Sequence, residues 1–110
     1  MNQKPHFKAL LTFLSAREGK QTTPISSGHR VRIQLPLERE QILASLNFIE
    51  EELVFPGDSL NAYVTLIASS DVSEKIYKGL DFDFYENENV IGQGTVIQAG
   101  GFEDYEDLQF

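Results

Sequence analysis

Cysteine is absent from the 110-residue chain, which excludes a disulfide framework and any thiolate metal site and fits a reducing compartment. No G-x-x-x-x-G-K-[ST] run occurs, so the backbone cradle that holds nucleotide phosphates in P-loop proteins is missing. Histidine is scarce: His6 and His29 lie far apart and belong to no H-x-H or H-x-x-x-H arrangement, so neither is expected to bind a metal. Long apolar runs are missing as well. Nothing approaches the roughly 18–20 residues that cross a bilayer as a helix, and the opening Met1 to His6 has no apolar stretch of signal length. A cytoplasmic protein that does not engage membranes is expected. At 41% hydrophobic content the chain can build one compact core, so one domain is expected.

Positive charge is in short supply. The net charge is -8, which argues against a general polyanion binder, since phosphate contacts need a concentrated basic surface. The imbalance is uneven. Residues 1–39 carry seven Lys or Arg (Lys4, Lys8, Arg17, Lys20, Arg30, Arg32, Arg39) against Glu18 and Glu38, a net +5, whereas residues 40–110 carry Lys75 and Lys78 against fifteen acids, a net -13. Such a split is either a functional dipole or two halves of one fold attracting each other.

Period-two alternation dominates. Val31 to Leu35 and Leu80 to Phe84 alternate apolar and polar residues, the pattern of strands with one wet face. Phe7 to Ser15, Leu60 to Ser69 and Val90 to Gln98 are rich in aromatic and branched residues and also read as strands. Turn-forming residues crowd Gly19 to Gly28, Phe55 to Ser59 and Glu86 to Asn89. Many short strands with regular turns predict a closed barrel or sandwich. Glu38 to Phe48 is ambiguous: its composition suits a helix, while Ile42, Ala44 and Leu46 also satisfy a strand. Ser70 to Lys78 is a long connection in which Ser70, Asp71 or Ser73 could cap a helical turn. After Gln98 the character changes: Gly100 and Gly101 precede a tail, residues 99–110, in which Phe102, Tyr105 and Phe110 alternate with Glu103, Asp104, Glu106 and Asp107. That tail is either a solvated end or a peptide that docks on a basic surface, a partner's or the chain's own.

Catalytic chemistry finds no support. Gly92-Gln93-Gly94 is a bare G-x-G inside a strand, where glycine permits a bulge or close packing. Glu50, Glu51 and Glu52 are adjacent and cannot all converge on one cation. Ser26 and Ser27 lie in no nucleophile-elbow motif, and Asp81 and Asp83 share a strand face that reads as the wet side of a sheet. No enzyme activity, cofactor or metal is expected.

Several short pieces then recur in a telling order. Lys4-Pro5-His6 is followed by Glu18-Gly19-Lys20-Gln21-Thr22-Thr23-Pro24, Gly28-His29-Arg30, Phe55-Pro56-Gly57-Asp58, Thr65-Leu66-Ile67, Gly79-Leu80-Asp81-Phe82 and Val90-Ile91-Gly92-Gln93-Gly94. In that order, and at nearly the same spacing, they resemble K-P-H, E-G-G-R-x-T-P, G-Y-R, M-P-G-D, a strand ending L-I, G-L-R-F and T-V-G-A-G of the third, C-terminal domain of elongation factor Tu. The resemblance covers residues 4–98. It implies a six-stranded antiparallel closed β-barrel over residues 1–98, with Glu38 to Phe48 contributing a strand, the acidic-aromatic tail as a separate segment, and no GTPase domain.

In that family the barrel contacts the GTPase domain, helps to grip the T-stem of aminoacyl-tRNA and meets the exchange factor Ts. Carried over by position, the family's tRNA-contacting Arg of E-G-G-R aligns with Gln21, its Lys after the L-I strand with Ala68, and the Arg of R-E-G-G with Tyr85; Glu86 is retained and Asn87 replaces Gly. Three cationic groups are thereby lost from the phosphate-gripping face, which lowers expected affinity and salt dependence. The loop after Ile67 is longer than the family's, and the tail extends past its usual end. The expected function is a non-catalytic binding module for a protein partner, a translation-type GTPase or factor being the partner class the resemblance suggests. The alternative is a tRNA- or RNA-binding accessory protein using the basic half. Candidate partner- or RNA-binding residues are Lys8, Arg17, Glu18, Lys20, Gln21, Thr22, Arg30, Arg32 and Glu86, and candidate tail-docking residues are Phe102, Tyr105 and Phe110.

Overall fold

Alternation in the sequence becomes inside and outside in the structure. The computed structural model describes residues 4–15, 24–36, 39–67 and 75–102. Its strands are β1 (Phe7–Phe13), β2 (Ile25–Ser26), β3 (Arg30–Gln34), β4 (Ile42–Phe48), β5 (Leu53–Val54), β6 (Ser59–Leu66), β7 (Asp81–Glu86) and β8 (Asn89–Gln98). Six of them close a barrel in the order β1-β6-β4-β3-β7-β8, with β8 returning to β1, and every pairing is antiparallel. β2 and β5 form a separate two-stranded sheet. The expected six-stranded antiparallel barrel is the fold found.

The ambiguous segment resolves as a strand. In β4, Ile42, Ala44, Leu46 and Phe48 are buried and the residues between them are only half-buried, because β6 and β3 hydrogen-bond to its two edges and leave one face for the interior. A helix would have left those edges unmatched. β2 and β5 escaped sequence reading because two residues cannot display a period. Most of the connection Ser70 to Lys78, residues 70–74, lies outside the described residues. Among the described residues no helix is long and apolar enough to cross a membrane.

The barrel is filled, not hollow. Phe7, Leu11, Ile33, Leu46, Val64, Phe84 and Val96 are fully buried. Phenylalanine rings meet edge to face, Phe7 with Phe82 at 5.6 Å and Phe13 with Phe84 at 5.1 Å between centroids, the arrangement that the ring quadrupole favours. Two glycines make room for them. Gly92 lies opposite Phe84 and Gly94 opposite Phe82 on the β7–β8 ladder, and a Cβ at Gly94 would come within 2.3 Å of the Phe82 Cζ. The G-x-G is therefore space for rings, as close packing required. Pro56-Gly57-Asp58 makes the expected tight reversal: Gly57 has a φ of 92°, the Asp58 amide donates to the Phe55 carbonyl at 3.0 Å, and the Phe55 amide donates to Asp58 Oδ2 at 3.1 Å.

Candidate partner-binding face

With Val31 and Ile33 buried, Arg30 and Arg32 point outward from β3 and are exposed. Register decides what stands beside them. Arg32 lies opposite Leu43 of β4 and Tyr85 of β7, and Arg30 lies opposite Ser45. Directly opposed residues of an antiparallel ladder share a face, so two guanidinium groups share one outer surface with a tyrosine ring and a leucine, both half-buried. Sequence reading placed the two arginines on one face and found no aromatic ring among them. Tyr85 supplies that ring. It sits 53 positions away from Arg32, so only the β3–β7 register reveals the pairing.

At the end of this face the turn before β3 meets the β7–β8 hairpin. His29 Nε2 lies 3.3 Å from Glu86 Oε1. The contact satisfies an ion-pair distance but not hydrogen-bond geometry, since Nε2 has no hydrogen-bond partner. Asn87, where the family has glycine, adopts a φ of 57°, in the left-handed region that asparagine tolerates better than most side chains.

The other candidates are distributed elsewhere. Lys8 is half-buried on β1, between Tyr63 of β6 and Gln98 of β8. In the six-stranded ring β1 stands opposite β3, so Lys8 is not brought together with Arg30 and Arg32. Phe102 packs its ring edge-on against Tyr63, with centroids 6.1 Å apart. Arg17, Glu18, Lys20, Gln21, Thr22, Ala68, Tyr105 and Phe110 lie outside the described residues. Asp81 and Asp83 occupy the outer face as expected, and the Thr95 hydroxyl donates to Asp81 Oδ1 at 2.7 Å.

His6 has a structural task that its spacing did not announce. Its Nδ1 accepts a hydrogen bond from the Leu66 amide at 2.9 Å, and its own amide donates to the Val64 carbonyl, tying the entry of β1 to the end of β6. Burial pushes its pKa below the ordinary value of 6.5, and a protonated Nδ1 could not accept. The unfolded chain therefore binds the proton more readily than the folded one. Its contribution to stability is complete above about pH 6.5 and is lost as pH falls through the lowered folded value. Wild type is expected to lose more stability between pH 7.5 and 5.5 than His6→Asn, whose amide oxygen replaces Nδ1 without titrating; urea unfolding at the two pH values measures it, and equal losses would remove His6 from this role.

Fold, strand order and turn chemistry together define a small closed antiparallel barrel of the kind that forms the third domain of elongation factor Tu. In sequence the chain is 31% identical over 90 residues to elongation factor Tu 2 of Streptomyces avermitilis, a match that takes in 82% of the chain and 22% of the relative. The chain is thus an elongation factor Tu domain 3-like protein, similar to a domain-sized portion of that factor and spanning about a fifth of its length. No protein-family model matches it.

Proposed function

We propose that the chain is a non-catalytic, translation-related module that binds a protein partner through the Arg30, Arg32 and Tyr85 face. The observation that carries this reading is the composition of the face. Two exposed arginines share an outer surface with a tyrosine and a leucine, and among the described residues no ion pair engages either arginine. Arginine and tyrosine are the residues that most often anchor protein interfaces, because each combines apolar area with directed polar groups. A partner with carboxylates around an apolar patch fits it. Similarity to elongation factor Tu favours a translation-type GTPase or factor as that partner.

Affinity capture from the host lysate tests it, comparing wild type with Arg30→Glu/Arg32→Glu. A partner held by wild type and lost from the variant is the expected result, with its affinity weakened at least about tenfold, or about 1.4 kcal/mol. A partner held equally by both would overturn the reading. Circular dichroism checks that the variant keeps its strands, as exposed positions allow.

A second reading is favoured by Tyr85 alone. Tyr85 stands across the ladder from Arg32, and an aromatic ring and a guanidinium on one face are the groups on which single-stranded bases stack. Two phosphate contacts on a single strand would give a log–log salt slope of about -1.4. RNA binding with that slope, lost in the double variant, would move the assignment from protein to RNA.

A further inference from the structure

Of the four large apolar side chains that stand exposed among the described residues, two sit together. Leu53 and Phe55 are each about half exposed, with Val54 buried between them, so both point away from the core. Among the described residues β5, which carries Leu53, pairs with β2 alone. Glu50, Glu51 and Glu52 precede the apolar pair and are exposed. The turn between β4 and β5 passes through Glu50 at a φ of 70°, a left-handed conformation uncommon outside glycine. The result is an apolar centre with a carboxylate rim, and among the described residues none of these three carboxylates is in an ion pair.

The arginine face has the opposite composition, with Arg30 and Arg32 beside Leu43 and Tyr85. The two surfaces are neighbours. The Ser27 amide donates to the Glu52 carbonyl at 2.9 Å, and Arg30 follows Ser27 by three residues. Three residues span at most about 11 Å, and residues paired across a ladder lie about 5.5 Å apart, so the Glu52 and Arg30 backbones are within about 17 Å of each other. Within one chain the two patches leave each other unpaired. A two-fold rotation satisfies both at once, because in an isologous contact each patch of one copy meets the other patch of its mate.

We propose that the chain forms a symmetric dimer in which Glu50, Glu51 and Glu52 of each copy meet Arg30 and Arg32 of the other. Leu53 and Phe55 then lie against Leu43 and Tyr85. A second copy thereby becomes an occupant of the arginine face, which rests on the reading above only in taking that face as protein-binding. The net charge of -8 repels two copies at long range. At physiological salt, however, exposed charges more than about 8 Å apart are screened, so the pairs in contact decide. Any other partner of the same face has to compete with the second copy, and its apparent affinity falls as the dimer fraction rises.

Sedimentation velocity on the purified full-length chain, at concentrations up to about 1 mM, tests the dimer. Wild type is expected to pass from one chain of 12.4 kDa to two as concentration rises, and to stop at two. Arg30→Glu/Arg32→Glu and Glu50→Lys/Glu52→Lys each set like charges against one another at both contacts, and each should weaken the dimer at least about tenfold. Mixed one to one, the two variants should recover it, since every altered patch then meets its opposite; recovery also shows that both keep their fold. A wild type that stays monomeric, a dimer that either double variant leaves intact, or variants that remain apart when mixed would each overturn the proposal. Growth beyond two copies would overturn it as well, because it marks a head-to-tail contact that does not close on a two-fold axis. Purified protein contains no host partner. A monomer here, together with a host partner lost from the arginine variant in the capture test, removes the dimer and keeps the partner reading; a dimer here with a host partner held equally by both does the reverse.

Discussion

Phe84→Ala is expected to remove about 3–5 kcal/mol of stability, the cost of deleting a buried phenylalanine whose surroundings cannot collapse. Phe84 is fully buried. Its ring meets Phe13 edge to face at 5.1 Å and lies 6.5 Å from Phe82, and it covers the backbone of Gly92 on the neighbouring strand. None of these neighbours can close the gap. Phe13 and Phe82 are themselves held in the core, and a closed ring of strands cannot shrink locally without breaking its ladders. Against a total stability of about 5–15 kcal/mol, the loss is a large fraction. It should lower the melting temperature by at least about 12 °C at roughly 4 °C per kcal/mol. Urea unfolding followed by far-ultraviolet circular dichroism measures it, and a loss below about 1 kcal/mol would mean that the ring is not a core element. The consequence extends to the proposed face, because Phe84 anchors β7 from inside while the next residue, Tyr85, stands outside opposite Arg32.

The barrel was legible in the sequence where one face of a strand is wet. Val31 to Leu35 and Leu80 to Phe84 revealed themselves through alternation, since burial on a single side imposes period two. β4 was not legible from pattern alone: its outward residues Leu43 and Ser45 are half-buried, which blurs the contrast between faces, and the order of motifs along the chain decided it instead. β2 and β5, two residues each, are defined by their partners and leave no local signature.

The site was legible only in part, and for a related reason. That Arg30 and Arg32 share a face follows from their spacing within one strand. That Tyr85 joins them, and that Lys8 stands across the barrel, follows from strand order and register. Those are properties of long-range pairing, which single-strand periodicity does not encode. His6 shows the same limit: its acceptor role depends on the Leu66 amide sixty residues later.

Gly94→Ala and Gly92→Ala are expected to destabilise by different amounts for a reason visible in what each new methyl would strike. A glycine-to-alanine change at a compatible site stabilises by about 0.4–1 kcal/mol through the unfolded chain; here steric conflict reverses the sign. At Gly94 the three nearest atoms to the new Cβ all belong to the Phe82 ring, at 2.3, 2.8 and 2.8 Å. A side chain can yield, so a cost of about 1–3 kcal/mol is expected. At Gly92 the methyl would lie 2.2 Å from Phe84 Cζ and also 2.6 Å from the Thr12 carbonyl oxygen. That oxygen belongs to the β1 backbone, which pairs with β8 along its length, so relief requires the ladder itself to shift. Gly92→Ala should therefore cost more than Gly94→Ala. Double-mutant cycles separate the two causes. Phe82→Leu should recover much of the Gly94→Ala loss, with a coupling of about 0.5–3 kcal/mol, because removing the ring removes every close contact. Phe84→Leu should recover less of the Gly92→Ala loss, because the carbonyl contact stays. Equal recovery at both sites in urea unfolding would show that ring packing alone, and not the β1 backbone, keeps residue 92 a glycine.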